Sequence, residues 1–253
     1  MYSCDTIWND ADPGQMATLP PSQLHREIDL AILEADQAGF YPTILSAITL
    51  QLTMHDLGYV RTHIVLPSTI YGIAKGRLYD LGISNPQSIQ IPGMIYVSLA
   101  RGQGGMIGDG KNLWPNVEID DLGDLYIALF DAVLNNSDTG HGLDGYYFGE
   151  NGEHSLYDIG KSIAQALFDL GKGQSPEPTP FTEEDIRKYF GGSKYLGSNS
   201  RCRGNHSRAI GWKPKKTTED LLASIRPEVE TLIKLGKSYN AKKNQSLKIA
   251  DDA

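Results

Sequence analysis

The chain of 253 residues has a net charge of −8 at pH 7 and 40% hydrophobic residues, enough for the core of one large domain or two small ones. Such an acidic chain is a poor match for a phosphate backbone, so we expect no nucleic-acid partner. Cys4 and Cys202 lie far apart without metal-ligand spacing, which predicts neither a disulfide framework nor a metal site. This cysteine usage is typical of a reducing compartment and favours a cytoplasmic location.

The sequence contains no pattern typical of a secreted or membrane protein. Residues 1–12 are polar and acidic, unlike the basic and apolar regions of a signal peptide. The apolar stretch at residues 41–57 is interrupted by polar side chains and is shorter than the roughly 20 residues of a membrane span. We therefore expect no membrane partner.

Hydrophobic periodicity and turn residues predict the elements in chain order. They are a loop at 10–21, a helix at 24–38 capped by Ser22, a strand at 62–66, a loop at 72–85, a helix at 87–101, a hairpin around Met106 and Val117, a helix at 122–134 capped by Asp121, a strand at 145–148, a helix at 156–170, a proline-rich linker at 174–180, and helices at 182–190 and 217–237. Strands that alternate with helices indicate an α/β fold with a parallel sheet.

Three motifs stand in order along the chain. Residues 62–72 read THIVLPSTIYG, a buried strand that ends in small hydroxyl residues; residues 108–121 read GDGKNLWPNVEIDD; residues 207–214 read SRAIGWKP. Together they resemble segments of the extended and atypical short-chain dehydrogenase/reductases, the NAD-dependent epimerase/dehydratase family. The resemblance covers most of residues 20–235.

The resemblance implies an incomplete Rossmann-like, doubly wound parallel sheet with a small C-terminal α+β subdomain on the substrate side. Residues 1–72 would be a remnant of the dinucleotide-binding domain, residues 73–173 a mixed segment, residues 174–240 the substrate-side helices, and residues 241–253 a disordered tail. It also implies NAD or NADP as cofactor, provided that the binding site is complete.

Completeness depends on a phosphate-binding loop, which in this fold is a glycine-rich turn between a strand and a helix N-terminus. Nothing before Thr62 has that pattern. Residues 104–110, GGMIGDG, have a suitable glycine spacing, but they follow a helical pattern and lead towards Pro115, so we interpret them as hairpin glycines. The chain therefore resembles a C-terminal portion, and either another segment completes the cofactor site or the chain binds no cofactor.

The catalytic pair of the family is a tyrosine and a lysine one helical turn apart, and the matching positions here are His25 and Asp29. A histidine could still donate a proton, because an imidazole titrates near neutral pH. Asp29 cannot replace a cation, and it would raise the pKa of a nearby acid. The alternative is that His25 only begins a helix and that Asp29 lies on its solvated face.

The resemblance also implies binding residues. Those on the cofactor side are Pro67, Ser68, Thr69 and Ile70, and those on the substrate side are Tyr71, Trp114, Asn116, Arg208 and Trp212. Packing within a hairpin would account equally well for Trp114 and Asn116, and packing on a helix for Trp212.

Four histidines and two aspartates have structural interpretations. His63 is predicted to be a hydrogen-bonded histidine of the central strand, His141 a turn residue, and His154 and His206 surface residues. Asp120 and Asp121 are interpreted as helix caps and not as an acid/base pair.

Residues 40–58 resemble an insertion, because the similarity to the family passes smoothly from residues 36–39 to 59–62. We expect this insertion to be poorly packed and to stem from retained noncoding sequence or a gene-model error. Without the first strands of a Rossmann sheet, the strand at 62–66 would have an unpaired edge, which would promote self-association.

Three functions remain open at this stage. The first is an NAD(P)-dependent oxidoreductase that acts on a small aldehyde, ketone or similar carbonyl substrate. The second is a non-catalytic module that senses a dinucleotide or binds a partner. The third is a truncated product without activity.

Overall fold

The computed structural model describes residues 5–23, 25–38, 49–54, 59–135 and 137–236. The helices in this part of the chain are α1 (Pro13–Ala17), α2 (Arg26–Ala38), α3 (Arg77–Asp80), α4 (Gln90–Arg101), α5 (Ile119–Leu134), α6 (Leu156–Asp169), α7 (Glu183–Phe190), α8 (Asn205–Ala209) and α9 (Thr218–Leu235). The strands are β1 (Ile7–Asn9), β2 (Thr49–Met54), β3 (Tyr59–Pro67), β4 (Thr69–Tyr71), β5 (Gly105–Met106), β6 (Leu113–Glu118), β7 (Tyr146–Gly149), β8 (Glu153–Ser155), β9 (Thr179–Pro180) and β10 (Arg201–Arg203).

Two three-stranded sheets and two strand pairs make up the β structure of the described residues. In the first sheet, β3 lies between β2, which is antiparallel to it, and β7, which is parallel. In the second, β6 lies between the parallel β4 and the antiparallel β8. The strand pairs β1–β10 and β5–β9 are parallel. Parallel strands joined through helices confirm the predicted α/β class.

Three helices begin where a hydroxyl side chain and an acidic side chain cap each other's backbone. Ser155 caps α6 together with Asp158, Thr182 caps α7 together with Asp185, and Thr217 caps α9 together with Asp220. Each such pair is a capping box, and its two side chains accept hydrogen bonds from two N–H groups that a helix start leaves unpaired. These local signals explain why the three helices begin within one residue of their predicted positions.

Helix α2 runs antiparallel to β3 and is fixed to it by a buried carboxylate. Asp36, near the end of α2, accepts hydrogen bonds from the backbone N–H and the hydroxyl of Thr62 at 2.8 and 3.0 Å. The same carboxylate lies 2.9 Å from Nδ1 of His141, in the turn before β7. The first turn of α2 is therefore placed beside the carboxyl end of β3.

Two predictions for residues 105–121 are wrong. The hairpin does not form, because β5 pairs with β9 and β6 pairs with β4 and β8. Asp121 does not cap α5, because the helix begins earlier and Glu118 accepts the N–H groups of Asp120 and Asp121. The buried Asp121 instead accepts the N–H groups of Lys215 and Lys216, which ties the start of α5 to the segment before α9.

The glycine-rich segment at 104–110 has a packing role that the sequence did not reveal. A β-carbon on Gly104 would lie 2.5 Å from that of Ala164, and one on Gly105 would lie 2.1 Å from the ring of Phe181. The glycines allow β5 to pack closely against α6 and the phenylalanine. No helix follows the segment, which agrees with its rejection as a phosphate loop.

The predicted free edge of the strand at 62–66 is also wrong. Strand β2 pairs with β3 from Thr49↔Ile64 to Met54↔Tyr59, and β7 pairs with its other side. The part of the proposed insertion at 49–54 is thus a strand of the sheet, whereas 40–48 and 55–58 lie outside the described residues. The origin of the proposed insertion, the proposed self-association and the domain boundaries stay predictions.

Smaller differences concern the loops. The predicted loop at 10–21 contains α1, the loop at 72–85 contains α3, and the linker at 174–180 ends in β9. The predicted tail at 241–253 lies outside the described residues. Among the helices that are described, none is long and apolar enough to cross a membrane.

Candidate active site

A cavity of about 490 Å³ lies between the start of α2 and the carboxyl ends of β3 and β7. The segment before α2 and the segment that leads into β10 complete its walls. In open α/β sheets, ligands bind at the carboxyl ends of the strands. The lining residues are Thr6, Trp8, Met16, Leu19, Pro20, Gln23, His25, Ile28, Asp29, Ile64, Leu66, Pro67, Ser68, Pro115, Phe148, Tyr195, Ser198, Asn199, Ser200, Arg201 and Cys202.

Four of the residues predicted from the sequence come together in this cavity. His25 and Asp29 lie on the α2 side, and Pro67 and Ser68 lie at the end of β3. His25 is exposed and has φ of 65°, a left-handed conformation that few non-glycine residues adopt. Such conformations cost free energy and are often found at functional sites. The backbone thus turns sharply at the residue that was predicted to match the catalytic tyrosine.

Asp29 is buried, so the alternative that placed it on a solvated helix face is wrong. Burial raises the pKa of its carboxyl to about 6, and Arg26, 3.9 Å away, offsets only part of this rise. The carboxyl of Asp29 consequently changes charge close to neutral pH. An ionised Asp29 is an anion, whereas the lysine that the resemblance implies for this position would be a cation.

Arg26 is buried beside Asp29 and points away from the cavity. Its Nη1 donates to the hydroxyl of Tyr146 at 2.7 Å, and its Nη2 donates to the carbonyl of Met16 at 3.3 Å. Burial raises the pKa of Tyr146 to about 12, so this phenol stays protonated. Arg26 therefore anchors α2 to β7 and is not among the lining side chains.

Of the four residues predicted for the cofactor side, Pro67 and Ser68 line the cavity and the other two do not. Ser68 lines the cavity, and its hydroxyl donates to the carbonyl of Gly149 at 2.7 Å, which leaves the oxygen able to accept a hydrogen bond. Thr69 and Ile70 belong to β4 and do not line the cavity. The hydroxyl of Thr69 lies 3.3 Å from Oε1 of Gln90 at the start of α4.

The substrate-side residues do not line the cavity. The hydroxyl of Tyr71 donates to the carbonyl of Thr217, and Nδ2 of Asn116 donates to the hydroxyl of Thr218. Both side chains are buried between β6 and the start of α9. Trp114 does not line the cavity, but its Nε1 donates to the carbonyl of the lining residue Ser198 at 2.6 Å. Its ring packs edge-on against Tyr195, a lining residue, with ring centroids 5.1 Å apart.

Arg208 and Trp212 are held in structural contacts. Nη1 of Arg208 donates to the buried Glu150 at 2.7 Å, and its guanidinium carbon lies 5.5 Å from the centroid of the Trp212 ring. Trp212 is buried and donates from Nε1 to the carbonyl of Asp121 at 2.7 Å. Helix packing, the alternative stated for Trp212, accounts for these contacts.

The structure changes the interpretation of the histidines. His63 is buried, but neither ring nitrogen has a hydrogen-bond partner among the described residues, and burial lowers its pKa to about 4. His154 is buried, not on the surface, and its Nδ1 lies 3.3 Å from Nδ2 of Asn116. His206 is half-buried and stacks on Tyr147 with ring centroids 4.4 Å apart. None of them lines the cavity.

Several lining residues were not predicted from the sequence. Trp8, on β1, and Cys202, on β10, reach the cavity because these two strands pair although they are about two hundred residues apart. No motif or periodicity marks the two short strands, so only the folded chain brings them together. Burial raises the pKa of the Cys202 thiol, which keeps it protonated. Within the described ranges, no group of three or more His, Cys, Asp or Glu side chains is placed to hold a metal ion.

Comparison with known proteins supports the fold. DesIV, a dTDP-glucose 4,6-dehydratase from Streptomyces venezuelae that was solved with NAD bound, matches with a TM-score of 0.54 and 14% identity over 96% of this chain and 59% of its own. The chain has the fold of this dehydratase. UDP-glucose 4-epimerase from Thermotoga maritima matches over 68% of this chain and 46% of its own, with 15% identity and a TM-score of 0.40.

A curated protein is similar in sequence. The oxidase ucsJ from an Acremonium species is 28% identical over 189 residues, which are 68% of this chain and 51% of that protein. The chain thus spans about half the length of this relative. No protein-family model matches the chain. The resemblance to the epimerase/dehydratase enzymes, stated from three motifs, is confirmed at the level of the fold.

Proposed function

We propose that the chain is the substrate-side part of an NAD(P)-dependent oxidoreductase that interconverts a carbonyl compound and the corresponding alcohol. The observation that carries this proposal is the cavity that His25 and Asp29 share with Pro67 and Ser68. These are positions at which the family has its catalytic pair and its cofactor wall. The similarity to an oxidase and the fold shared with an NAD-bound dehydratase support the same reaction class.

The described residues fit one end of a dinucleotide. Pro67 and Ser68, at the carboxyl end of β3, would hold the nicotinamide ring against the cavity. The first strand–turn–helix unit, β1 to α1, does not suit a pyrophosphate, because Asp12 caps the helix with its own carboxylate and Asp10 precedes it. We therefore assign only the nicotinamide end to these residues.

When bound, the cofactor would supply or accept the hydride. The imidazolium of His25 would donate a proton to the carbonyl oxygen during reduction, and the neutral imidazole would accept that proton during oxidation. Asp29 lies four residues further on and would stabilise the imidazolium when it is ionised. Because the pKa of Asp29 is raised to about 6, this support would develop as the pH rises through about 6.

The test combines cofactor binding with turnover. A nucleotide at about 100 times its dissociation constant should stabilise the protein by about 2.7 kcal/mol, which thermal unfolding with NADH and with NADPH would detect. His25→Asn should lower kcat by about 10²- to 10⁴-fold on a panel of aldehydes and ketones, because asparagine keeps the left-handed backbone but does not titrate. The nucleotide-induced shift should remain.

Glu27→Gln is the matched control, since Glu27 is exposed in the first turn of the same helix and does not line the cavity. Its kcat should equal that of the unmodified chain. Stabilisation by neither nucleotide would contradict the proposal. Stabilisation without turnover of any carbonyl compound would favour the second candidate, a dinucleotide-sensing module, which the acidic residue at the lysine position supports.

A further inference from the structure

The chemistry of the cavity wall indicates which substrates it accepts. We propose that the cavity binds an uncharged, predominantly apolar carbonyl compound or alcohol, and that it does not bind a nucleoside diphosphate sugar. This inference rests on the proposed function, and it differs from the substrate printed in the name of the dehydratase of the same fold. Three observations carry it.

The first observation is that apolar side chains form most of the wall. They come from separate elements, β1, α1, α2, β3 and β7, so the apolar surface surrounds the cavity. Cavities of a few hundred Å³ with such linings are typical of sites that bury most of a small ligand. The principal apolar residues are Trp8, Met16, Leu19, Ile28, Leu66 and Phe148.

The second observation concerns charge. Arg201 is the one lysine or arginine among the described lining residues, and one edge of its guanidinium is paired with a carboxylate. Its Nε and Nη2 donate to the two carboxylate oxygens of Glu153, each at 2.8 Å, and this pairing lowers the pKa of Glu153. Bidentate guanidinium donors suit phosphate recognition. A diphosphate bound here would have to compete with Glu153 for the guanidinium and would lie near the Asp29 carboxylate.

The third observation is that part of the hydrogen-bonding capacity of the wall is already used by the protein, as at Ser198. The hydroxyl of Ser198 donates to the carbonyl of Tyr195 at 2.8 Å, and the carbonyl of Ser198 accepts from Trp114 and Asn112. A sugar ring, by contrast, needs several hydrogen-bonding partners in a buried site. A single carbonyl oxygen needs fewer partners, and His25 is a lining side chain that could donate to it, whereas the Ser68 hydroxyl already donates to Gly149 and can only accept, as from an alcohol.

The experiment measures binding without cofactor, so it stands apart from the test of turnover. The neutral fluorophore N-phenyl-1-naphthylamine is titrated into the full chain and then competed with 2-decanone, or with UDP-glucose and dTDP-glucose. We expect the ketone to displace the fluorophore, and the sugar nucleotides to leave it bound at about a hundredfold higher concentration. Displacement by either sugar nucleotide, or no binding of the fluorophore, would overturn the inference.

A pair of variants locates the binding site. Ile28→Lys should weaken fluorophore binding by about tenfold or more, because a charged side chain would replace part of the apolar wall, and the substitution should leave the fold intact because Ile28 is 41% exposed. Ile127→Lys is the control: Ile127 is 60% exposed on α5 and does not line the cavity, so this variant should bind normally. Equal affinities in the two variants would refute the assignment. Normal fluorophore binding in a chain that no nucleotide stabilises would contradict the proposed function alone.

Discussion

The helical region formed by α4, α6 and α9 and the region around the cavity are stabilised in different ways. The helical region contains the largest apolar cluster, with side chains such as Ile95, Ile163, Leu167, Leu221 and Ile225 buried completely or almost completely. The cluster beside the cavity has five buried members, which are Met16, Leu33, Ile64, Tyr146 and Phe148. The cavity occupies space that apolar side chains would otherwise fill.

Buried carboxylates take over part of the structural role near the cavity. Asp10 accepts hydrogen bonds from the backbone N–H groups of Phe148, His206 and Ser207, at 2.9, 2.8 and 3.2 Å. Asp36 and Glu150 make comparable bonds to Thr62 and to Gly204. The comparison shows that a wall can be kept in place without filling the space in front of it, provided that polar anchors connect distant segments.

Removing one anchor tests this difference most severely. Asp10→Ala should lower the free energy of unfolding by about 2 to 6 kcal/mol, because the two buried N–H groups of Phe148 and Ser207 lose their acceptor at about 1 to 3 kcal/mol each, and the half-buried N–H of His206 loses its acceptor as well. Urea unfolding would measure it. The exposed Asp144→Ala serves as control and should change stability by no more than about 0.5 kcal/mol. A loss below about 1 kcal/mol for the Asp10 variant would show that the anchor is dispensable.

Among the described residues, the helical region contains one buried carboxyl group, that of Glu228 on α9, whose side chain is 1% exposed. Burial raises its pKa from 4.5 to about 7, although the backbone N–H of Gly72 offsets part of the rise. A raised carboxyl pKa means that the folded protein binds the proton more tightly than the unfolded chain. Stability therefore falls as the pH increases from about 4.5 to about 7.

Glu228→Gln should remove this loss of stability with rising pH. The variant should gain up to about 3 kcal/mol relative to the unmodified protein between pH 4.5 and pH 7, and the difference should then stay constant. Urea unfolding at a series of pH values would show it. Glu219→Gln, at an exposed position of the same helix, should have no such pH dependence. A parallel pair of pH profiles for the Glu228 variant and the unmodified chain would be inconsistent with a raised pKa.

The smallest expected effect concerns a local signal in the helical region. Ser155→Ala should lower the free energy of unfolding by about 1 kcal/mol, because it removes the hydroxyl of the capping box of α6. Thermal or urea unfolding would resolve this loss. Ser84→Ala, at an exposed position outside any helix or strand, provides the reference and should be neutral. An equal effect of both substitutions would indicate that the cap does not limit stability.

The helical region was also the easier one to predict. Helices α6, α7 and α9 have capping residues and apolar periodicity within a few residues of each other, so their bounds follow from local sequence. The motif at 62–72 likewise identified β3, because a continuous apolar run ending at proline is a local pattern, but the turn expected after it is the strand β4. The predicted hairpin failed because strand pairing depends on partners far along the chain.

The candidate site could be predicted only in part. Pro67 and Ser68 were found because the motif at 62–72 carries the family resemblance, and His25 and Asp29 were found by their distance from that strand. Arg201 and Cys202 were missed because their place in the wall depends on the pairing of β10 with β1. Arg208 and Trp212 were assigned to the substrate side by resemblance, yet both serve the packing of α8 and α5.

The sequence by itself determined the α/β class, the main helices and the resemblance to the epimerase/dehydratase enzymes, because apolar periodicity, caps and short motifs are properties of neighbouring residues. Only the tertiary structure decided that β2 covers the edge of β3, that Asp29 is buried, and that the cavity wall is apolar with its arginine paired. These features depend on contacts between segments far apart in the chain. The charge and polarity of a cavity follow from which distant side chains meet there, and local sequence does not contain that information.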